Sequence, residues 1–374
     1  MSSMRKTWIA AVACVLGGPA YLQAAHATSI LVGVNVVAVD QMNPTQQDAL
    51  LVELEKKGVT VIRTTLGGKN DGYTHFVIKA SQHGIRSIVM LSPNKGGSDA
   101  HTARPNSLAG RGWAMTALSD ADPEGFRRGY SPVLASLDAA GVHLAAVELG
   151  NEINMTWDNA DFPVPNSGRV LGIKDLENPN DPEARSVAEG FKAYVKIMAT
   201  LKDLRDHLKV NKTTPVILGG LGNVGLPGPQ SFNKQLQVAI PDTIEFLRKN
   251  GLDQFADGYG VHVYPNGNTR EPMAQRIADL DTNIFAQCRK ATKPCWLTEW
   301  GFDNRSTFCP IDESVRLRQL QAQRTAFAHF IQQGRLAASI YYSWSGLPGE
   351  KDNSGAIFRC GALTDAGKLA LAPF

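Results

Sequence analysis

Eight short apolar runs rich in β-branched residues recur along the chain, and that recurrence constrains the fold more than any other feature. They lie at residues 30–37 (ILVGVNVV), 58–65 (GVTVIRTT), 85–91 (IRSIVML), 143–149 (HLAAVEL), 215–220 (PVILGG), 258–264 (GYGVHVY), 295–299 (CWLTE) and 339–344 (SIYYSW). Helix-like stretches separate them at 44–57, 182–209, 241–250, 272–291 and 312–333. The first opens with Pro44 in a first turn and stops at Gly58; the second follows Asp181-Pro182, a cap residue and a first-turn proline; the last stops at Gly334. Most of the strand runs lack clean alternation, as expected of parallel strands covered on both faces. Eight such strands with helices between them predict an α/β fold, a (β/α)8 TIM barrel in a single domain. A doubly wound sheet is the structural rival. It usually carries a glycine-rich phosphate loop after its first strand, and Val37-Ala38-Val39-Asp40 has no such pattern.

The 374 residues are 43% hydrophobic and 20% charged, ample for one large core. A net charge of +3 without a dense Lys/Arg run argues against a nucleic-acid partner. At the N-terminus, Arg5 and Lys6 precede an apolar stretch from Trp8 to Leu16, and Ala25-His26-Ala27 offers small residues for cleavage. Residues 1–27 therefore read as a signal peptide, too short for a membrane span, with 28–374 as the folded domain. A lipoprotein with Cys14 acylated is the alternative, although the apolar run before it would be very short. The expected location is secreted or periplasmic, and the expected state is a monomer.

Four cysteines lie beyond residue 27: Cys288, Cys295, Cys309 and Cys360. An even count in an oxidising compartment suggests disulfides, and no Cys/His spacing fits zinc. In a barrel, Cys288 and Cys295 flank the entry to the seventh strand at the bottom face. Cys309 and Cys360 fall in the loops after strands seven and eight, at the top face. Bridged Cα atoms must approach within roughly 7 Å, so the expected pairs are Cys288–Cys295 and Cys309–Cys360.

In such barrels the chemistry sits where strands end. The strand ends here carry Arg63, Asn151, Glu152, His262, Tyr264, Glu299 and Trp344. The fourth run, AAVELGNEIN, stops abruptly at Gly150-Asn151-Glu152, a turn or a substrate site on its own evidence. Glu299 ends another strand, and two carboxyl groups are what glycosidic hydrolysis requires. One protonates the departing oxygen while the other attacks the anomeric carbon or activates water. Arg63 is the candidate cation to keep the nucleophile ionised, or it neutralises Glu148 inside the barrel.

Taken in strand order, Gly150-Asn151-Glu152, His262-Val263-Tyr264, Thr298-Glu299-Trp300-Gly301 and Trp344 resemble the retaining glycoside hydrolases of clan A. The resemblance implies a (β/α)8 barrel with Glu152 as acid/base and Glu299 as nucleophile. It further implies that Asn151 binds the sugar hydroxyl beside the anomeric carbon and that Tyr264 donates to the nucleophile. His262 would touch the sugar or the acid/base, and Trp344 would form an apolar platform under the ring. The third strand, Val89-Met90-Leu91-Ser92-Pro93-Asn94, lacks the His usual in family 5. That leaves relatives such as family 39, or families with an acidic residue before Gly-Asn-Glu, as Glu148 stands here.

Gly150 is expected to let chain and sugar come close, while Asn35, Ser92 and Asn94 are further candidates to meet sugar hydroxyls. The segments 92–125 and 153–181 are long for barrel loops and carry Trp113, Tyr130, Trp157 and Phe162, suited to sugar stacking or to a local mini-core. The Pro- and Gly-rich stretch 222–230 is expected to shape another wall, and His75, His83 and His101 read as surface or loop residues. The leading reading is a hydrolase of β-glycosidic bonds in an oligo- or polysaccharide. A transglycosylase using the same site and a non-catalytic carbohydrate-binding barrel are the alternatives; no cofactor is required.

Overall fold

Eight parallel strands close into a barrel in strict sequence order: β1 (Leu31–Asn35), β2 (Val61–Thr65), β3 (Arg86–Leu91), β4 (Ala146–Asn151), β5 (Val216–Leu221), β6 (Gly258–Val263), β7 (Cys295–Trp300) and β8 (Leu336–Tyr341). Strand β8 closes the ring on β1, pairing Leu31 with Ala338 and Val34 with Tyr341. The computed structural model describes residues 30–66, 72–94, 104–105, 114–264, 271–289, 292–306, 308–346 and 354–374. The expected signal peptide, Cys14, His101 and Trp113 lie outside the described residues.

Helices follow the strands: α1 (Pro44–Lys56), α2 (Gly72–Gln82), α3 (Pro123–Ala139), α4 (Ala184–Asp206), α5 (Ile240–Lys249), α6 (Met273–Asp279), α7 (Ser314–Gln332) and α8 (Asp365–Leu371). Asn43 caps α1 and Gln46 reaches back to it, a capping box ahead of Pro44. The expected 272–291 helix is shorter. After α6 the backbone widens into a π turn over Leu280–Ile284 and stops at Phe285. The chain then enters β7 through the Cys288–Cys295 disulfide, and Cys309–Cys360 forms the second bridge. Both pairings agree with the topological expectation.

Outward side chains of the strands meet the helices in one core that includes Phe76, Phe126, Phe191, Tyr194, Phe285 and Phe327. Inside the barrel, Val61, Ile88, Ala146, Ile217, Trp296, Ala338 and Ile340 fill the lower half. The inward positions above them turn polar, with Arg63 two residues after Val61 and Glu148 two residues after Ala146. A period-2 strand thus carries a plug below and chemistry above on one face.

Strand β7 breaks that period at the functional level. Leu297 pairs with Val261, but the next partner, His262, faces Glu299 rather than Thr298. The one-residue slip is a bulge, which re-aims Glu299 toward the barrel mouth. The long segments after β4 and β5 join into one wall: Val170 and Leu171 ladder with Gln237 and Val238, and Asn154 donates to Gly222 O and Val238 O. Among the described residues, no helix is long and apolar enough to cross a membrane.

Candidate active site

At the C-terminal mouth of the barrel a cavity of about 860 Å³ opens above the plug, lined among others by Arg63, Asn151, Glu152, Asp158, Tyr264 and Glu299. Arg63 is the hub. Its Nε donates to Glu148 Oε2 at 2.5 Å, one terminal nitrogen to Glu299 Oε1 at 2.6 Å and Asn35 Oδ1 at 3.0 Å, and the other to Asn151 Oδ1 at 2.9 Å. Glu148, fully buried, completes its set by accepting from Gly220 N at 2.8 Å. Glu148 is therefore the anchor that fixes the guanidinium, and Arg63 pairs with both Glu148 and Glu299 at once. Burial works against the Arg63 charge, but the charges and hydrogen bonds of Glu148 and Glu299 outweigh it and raise the group above its ordinary value.

Glu299 is held from two sides. Opposite Arg63, the Tyr264 hydroxyl donates to Glu299 Oε2 at 2.5 Å. Burial, and then the charge and hydrogen bond of Glu299, push the Tyr264 phenol well above its usual value, so it stays a donor.

Glu152 stands across the mouth with a left-handed φ of 43°, preceded by Gly150 at 79°. A Cβ on Gly150 would meet Ile153, Pro93 and Tyr194, on the core side of the strand. The expectation that Gly150 makes room for sugar is thus corrected: the position needs glycine for its positive φ. His262 Nδ1 lies 2.9 Å from Glu152 Oε1 and 3.6 Å from Glu299 Oε2, and the ring is wholly buried. It contacts the acid/base candidate rather than open cavity. Space for it comes from β5, where a Cβ on Gly220 would overlap His262 Nε2.

Two neighbours of Glu152 were not singled out for its chemistry from sequence. Trp157 Nε1 donates to Glu152 Oε2 at 3.0 Å while the ring packs beside Met155, Val170 and Val224. Asp158, the next residue along the chain, lines the same cavity. Burial favours a protonated Glu152, but hydrogen bonds from His262 and Trp157 and the charge on His262 prevail and hold it below the ordinary carboxylate range.

Trp344 corrects the sequence expectation. It is 2% exposed and stacks on Phe358 with ring centres 5.0 Å apart, so it offers no platform to a ligand. Strand β8 ends at Tyr341, three residues earlier than its apolar run suggests. Tyr342, in edge contact with Tyr264, lines the cavity instead. Asn35 reaches the cavity wall too, but its side chain is spent on donating to Thr298 O and Tyr341 O and accepting from Arg63. Ser92 does line the cavity, and Asn94 is tied to Ala117 O. Tyr130 and Phe162 are buried in the core, which decides their case for packing.

The fold is that of solved glycan-cleaving barrels. The Pyrococcus horikoshii hyperthermophilic endocellulase superposes with a TM-score of 0.55 at 11% identity, covering 91% of this chain and 91% of its own. A GH5-4 broad specificity endoglucanase from an uncultured bacterium gives 0.53 at 13% identity, covering 92% and 94%. A fungal β-1,4-galactanase gives 0.53 at 12% identity, covering 91% and 93%. At such identities the likeness is one of fold. No protein-family model matches the sequence, and no curated protein matches it significantly.

Proposed function

We propose that this protein is a secreted retaining glycoside hydrolase that cleaves β-glycosidic bonds in an oligo- or polysaccharide. Glu299 is the nucleophile and Glu152 the acid/base. One observation carries the reading. His262 Nδ1 contacts one oxygen of each carboxylate, at 2.9 and 3.6 Å, so those oxygens lie no more than the sum, 6.5 Å, apart. That upper bound is reached only if the three atoms are collinear. Inversion needs a carboxylate separation of about 6.5–9.5 Å to admit water, whereas retention uses about 5–5.5 Å.

The two carboxylates have different partners, as their roles require. Glu299 accepts from Arg63 and Tyr264, which aim it at the anomeric carbon. Asn151 spends its oxygen on Arg63, which turns its NH2 group toward the cavity to donate to a sugar hydroxyl. Glu152 delivers a proton to the departing oxygen and later takes one from the water that releases the sugar. The two disulfides support an oxidising destination.

A panel of aryl β-glycosides and β-linked polysaccharides tests this, with Glu299→Gln and Glu152→Gln as controls. Each variant is expected to lose about a thousandfold or more in kcat on a substrate with a poor leaving group. Wild-type activity in either would remove the role assigned to that residue.

A further inference from the structure

Trp157 meets Glu152 as a donor only. Its Nε1–H reaches Glu152 Oε2 at 3.0 Å, and an indole N–H donates but cannot accept. The ring is placed by the protein rather than by Glu152. Met155 N closes a turn on Glu152 O at 2.9 Å and Met155 bridges to Gln237. The indole then packs beside Met155, Val170, Val224 and Ala239, on the wall made by the loops after β4 and β5. The other oxygen of Glu152 is enclosed. His262 Nδ1 lies 2.9 Å from Oε1, and the Gly222 backbone backs it so closely that a Cβ there would stand 3.2 Å away. Yet Glu152 lines the cavity, and its side chain keeps 15% of its surface open.

We infer that Trp157 is a positioning residue that acts through Glu152: its indole N–H fixes Oε2 as the oxygen that passes the proton to the leaving group and takes one back from water. The inference rests on the reading of Glu152 as acid/base. Either tautomer of His262 excludes Oε1. If Nδ1 carries a hydrogen, Oε1 accepts it and the acid's proton sits on Oε2. If Nδ1 is bare, a proton on Oε1 points at the imidazole and away from the substrate. On Oε2 the indole takes one lone-pair position, cannot share the proton, and leaves the second position for the cavity. As the glycosidic bond breaks, its electron pair goes to the leaving oxygen, the Oε2–H bond breaks and the proton joins that oxygen. Glu152 is then a carboxylate that the indole stabilises. In the second half, water bonds to the anomeric carbon, Glu299 departs as a carboxylate, and a proton of the water returns to Oε2.

A donor to the anion makes Glu152 a stronger acid, so losing the donor should raise its titration. The other groups that face Glu152 are His262 and Tyr264 from β6 and its loop, Glu299 on β7, Arg63 on β2, reached through Asn151, and Asp158 at the same cavity. All of them remain when the indole N–H alone is removed, so a changed titration reads that one contact.

Two variants of the full chain test this. Trp157→Phe keeps an aromatic ring without the N–H, and Trp157→β-(3-benzothienyl)alanine, installed by nonsense suppression, keeps the indole shape with sulfur in place of N–H. With glutamate labelled at the carboxyl carbon, the NMR signal missing from Glu152→Gln reports this carboxyl without any substrate. Its titration is expected about one pH unit higher in both variants. For any 4-methoxyphenyl β-glycoside that the wild type cleaves, the basic limb of kcat/KM should move to higher pH by the same amount, while the plateau falls about tenfold. On the 2,4-dinitrophenyl glycoside, which needs no acid, kcat/KM should match the wild type. In a Glu152→Gln background, Trp157→Phe should add nothing. A Glu152 titration and basic limb superimposable on those of the wild type, or equal losses on both glycosides, overturn the inference. If no glycoside is cleaved, the functional reading fails while the carbon titration still decides whether Trp157 acts on Glu152.

Discussion

Arg63 and Glu299 meet at 2.6 Å across the barrel mouth, joining the second strand to the seventh. The same guanidinium is pinned from below by Glu148, so three elements of the barrel depend on one side chain. Replacing Arg63 by Gln removes the cation beside Glu299, the proposed nucleophile, and strands a buried Glu148. Breaking a buried pair from one side costs about 3–5 kcal/mol. A kcat at least about a hundredfold lower is expected together with a lower Tm; thermal unfolding and steady-state kinetics read both.

Tyr264→Phe isolates a single contact. The hydroxyl gives one hydrogen bond to a charged partner, worth about 1.5–3 kcal/mol, so kcat should fall about 10–150-fold. Tyr264 is 39% exposed, and the fold should tolerate the change with little shift in Tm. Unchanged kcat would show that the hydroxyl does not hold Glu299 in the reacting state.

Gly220→Ala tests space rather than charge. The added methyl would overlap the His262 ring on β6 and press on Thr298 of β7. Loss of most activity is expected, with destabilisation of about 1–3 kcal/mol from overpacking. A fully active variant would mean that His262 need not sit where β5 admits it.

Asp161 makes stability depend on pH away from Glu152 and Glu299. Its carboxyl accepts from Leu118 N and from both the N–H and hydroxyl of Ser119, yet burial prevails and pushes it up to about 6. The folded state binds the proton more tightly than the unfolded chain does, so this stabilisation is complete below about pH 4 and is lost as the pH rises through about 6. Denaturant titrations at several pH values should show the wild type declining across that window relative to Asp161→Asn. Parallel curves for the two proteins would contradict the assignment.

The two disulfides close loops of different length, with sequence separations of 51 for Cys309–Cys360 and 7 for Cys288–Cys295. On the chain-entropy account their removal costs about 4 and about 2 kcal/mol respectively. Only the first joins the loops that bring Phe302, Asp303 and Ala356 to the cavity. Its Ser/Ser variant should therefore also raise KM, and the Cys288/Cys295 variant should not.

The barrel was legible in the sequence because strands covered on both faces must be apolar throughout, and turn residues punctuate them. Helices α2 and α3 were missed: Gly72 opens one and Pro132 interrupts the other, which blurs their periodicity. The end of β8 was misplaced because aromatic residues continue past Tyr341, and an apolar run does not reveal whether it follows the sheet or folds back onto Phe358. The resemblance to clan A then made Trp344 the platform, whereas Tyr342 is the residue that lines the cavity. Arg63, Glu152 and Glu299 stood out because charge at the end of an apolar strand is costly without a partner. Trp157 did not, since its meeting with Glu152 depends on a turn after β4 that no spacing rule encodes.

The central claim is that Glu299 becomes covalently bonded to the sugar. Incubation with a 2-deoxy-2-fluoro β-glycosyl fluoride of a sugar that the enzyme accepts, followed by peptide mass mapping, tests it directly. The account predicts one glycosyl unit on the peptide containing Glu299 and none in Glu299→Gln. A sugar bound to a different residue, or turnover with inversion at the anomeric carbon and no adduct, would contradict it.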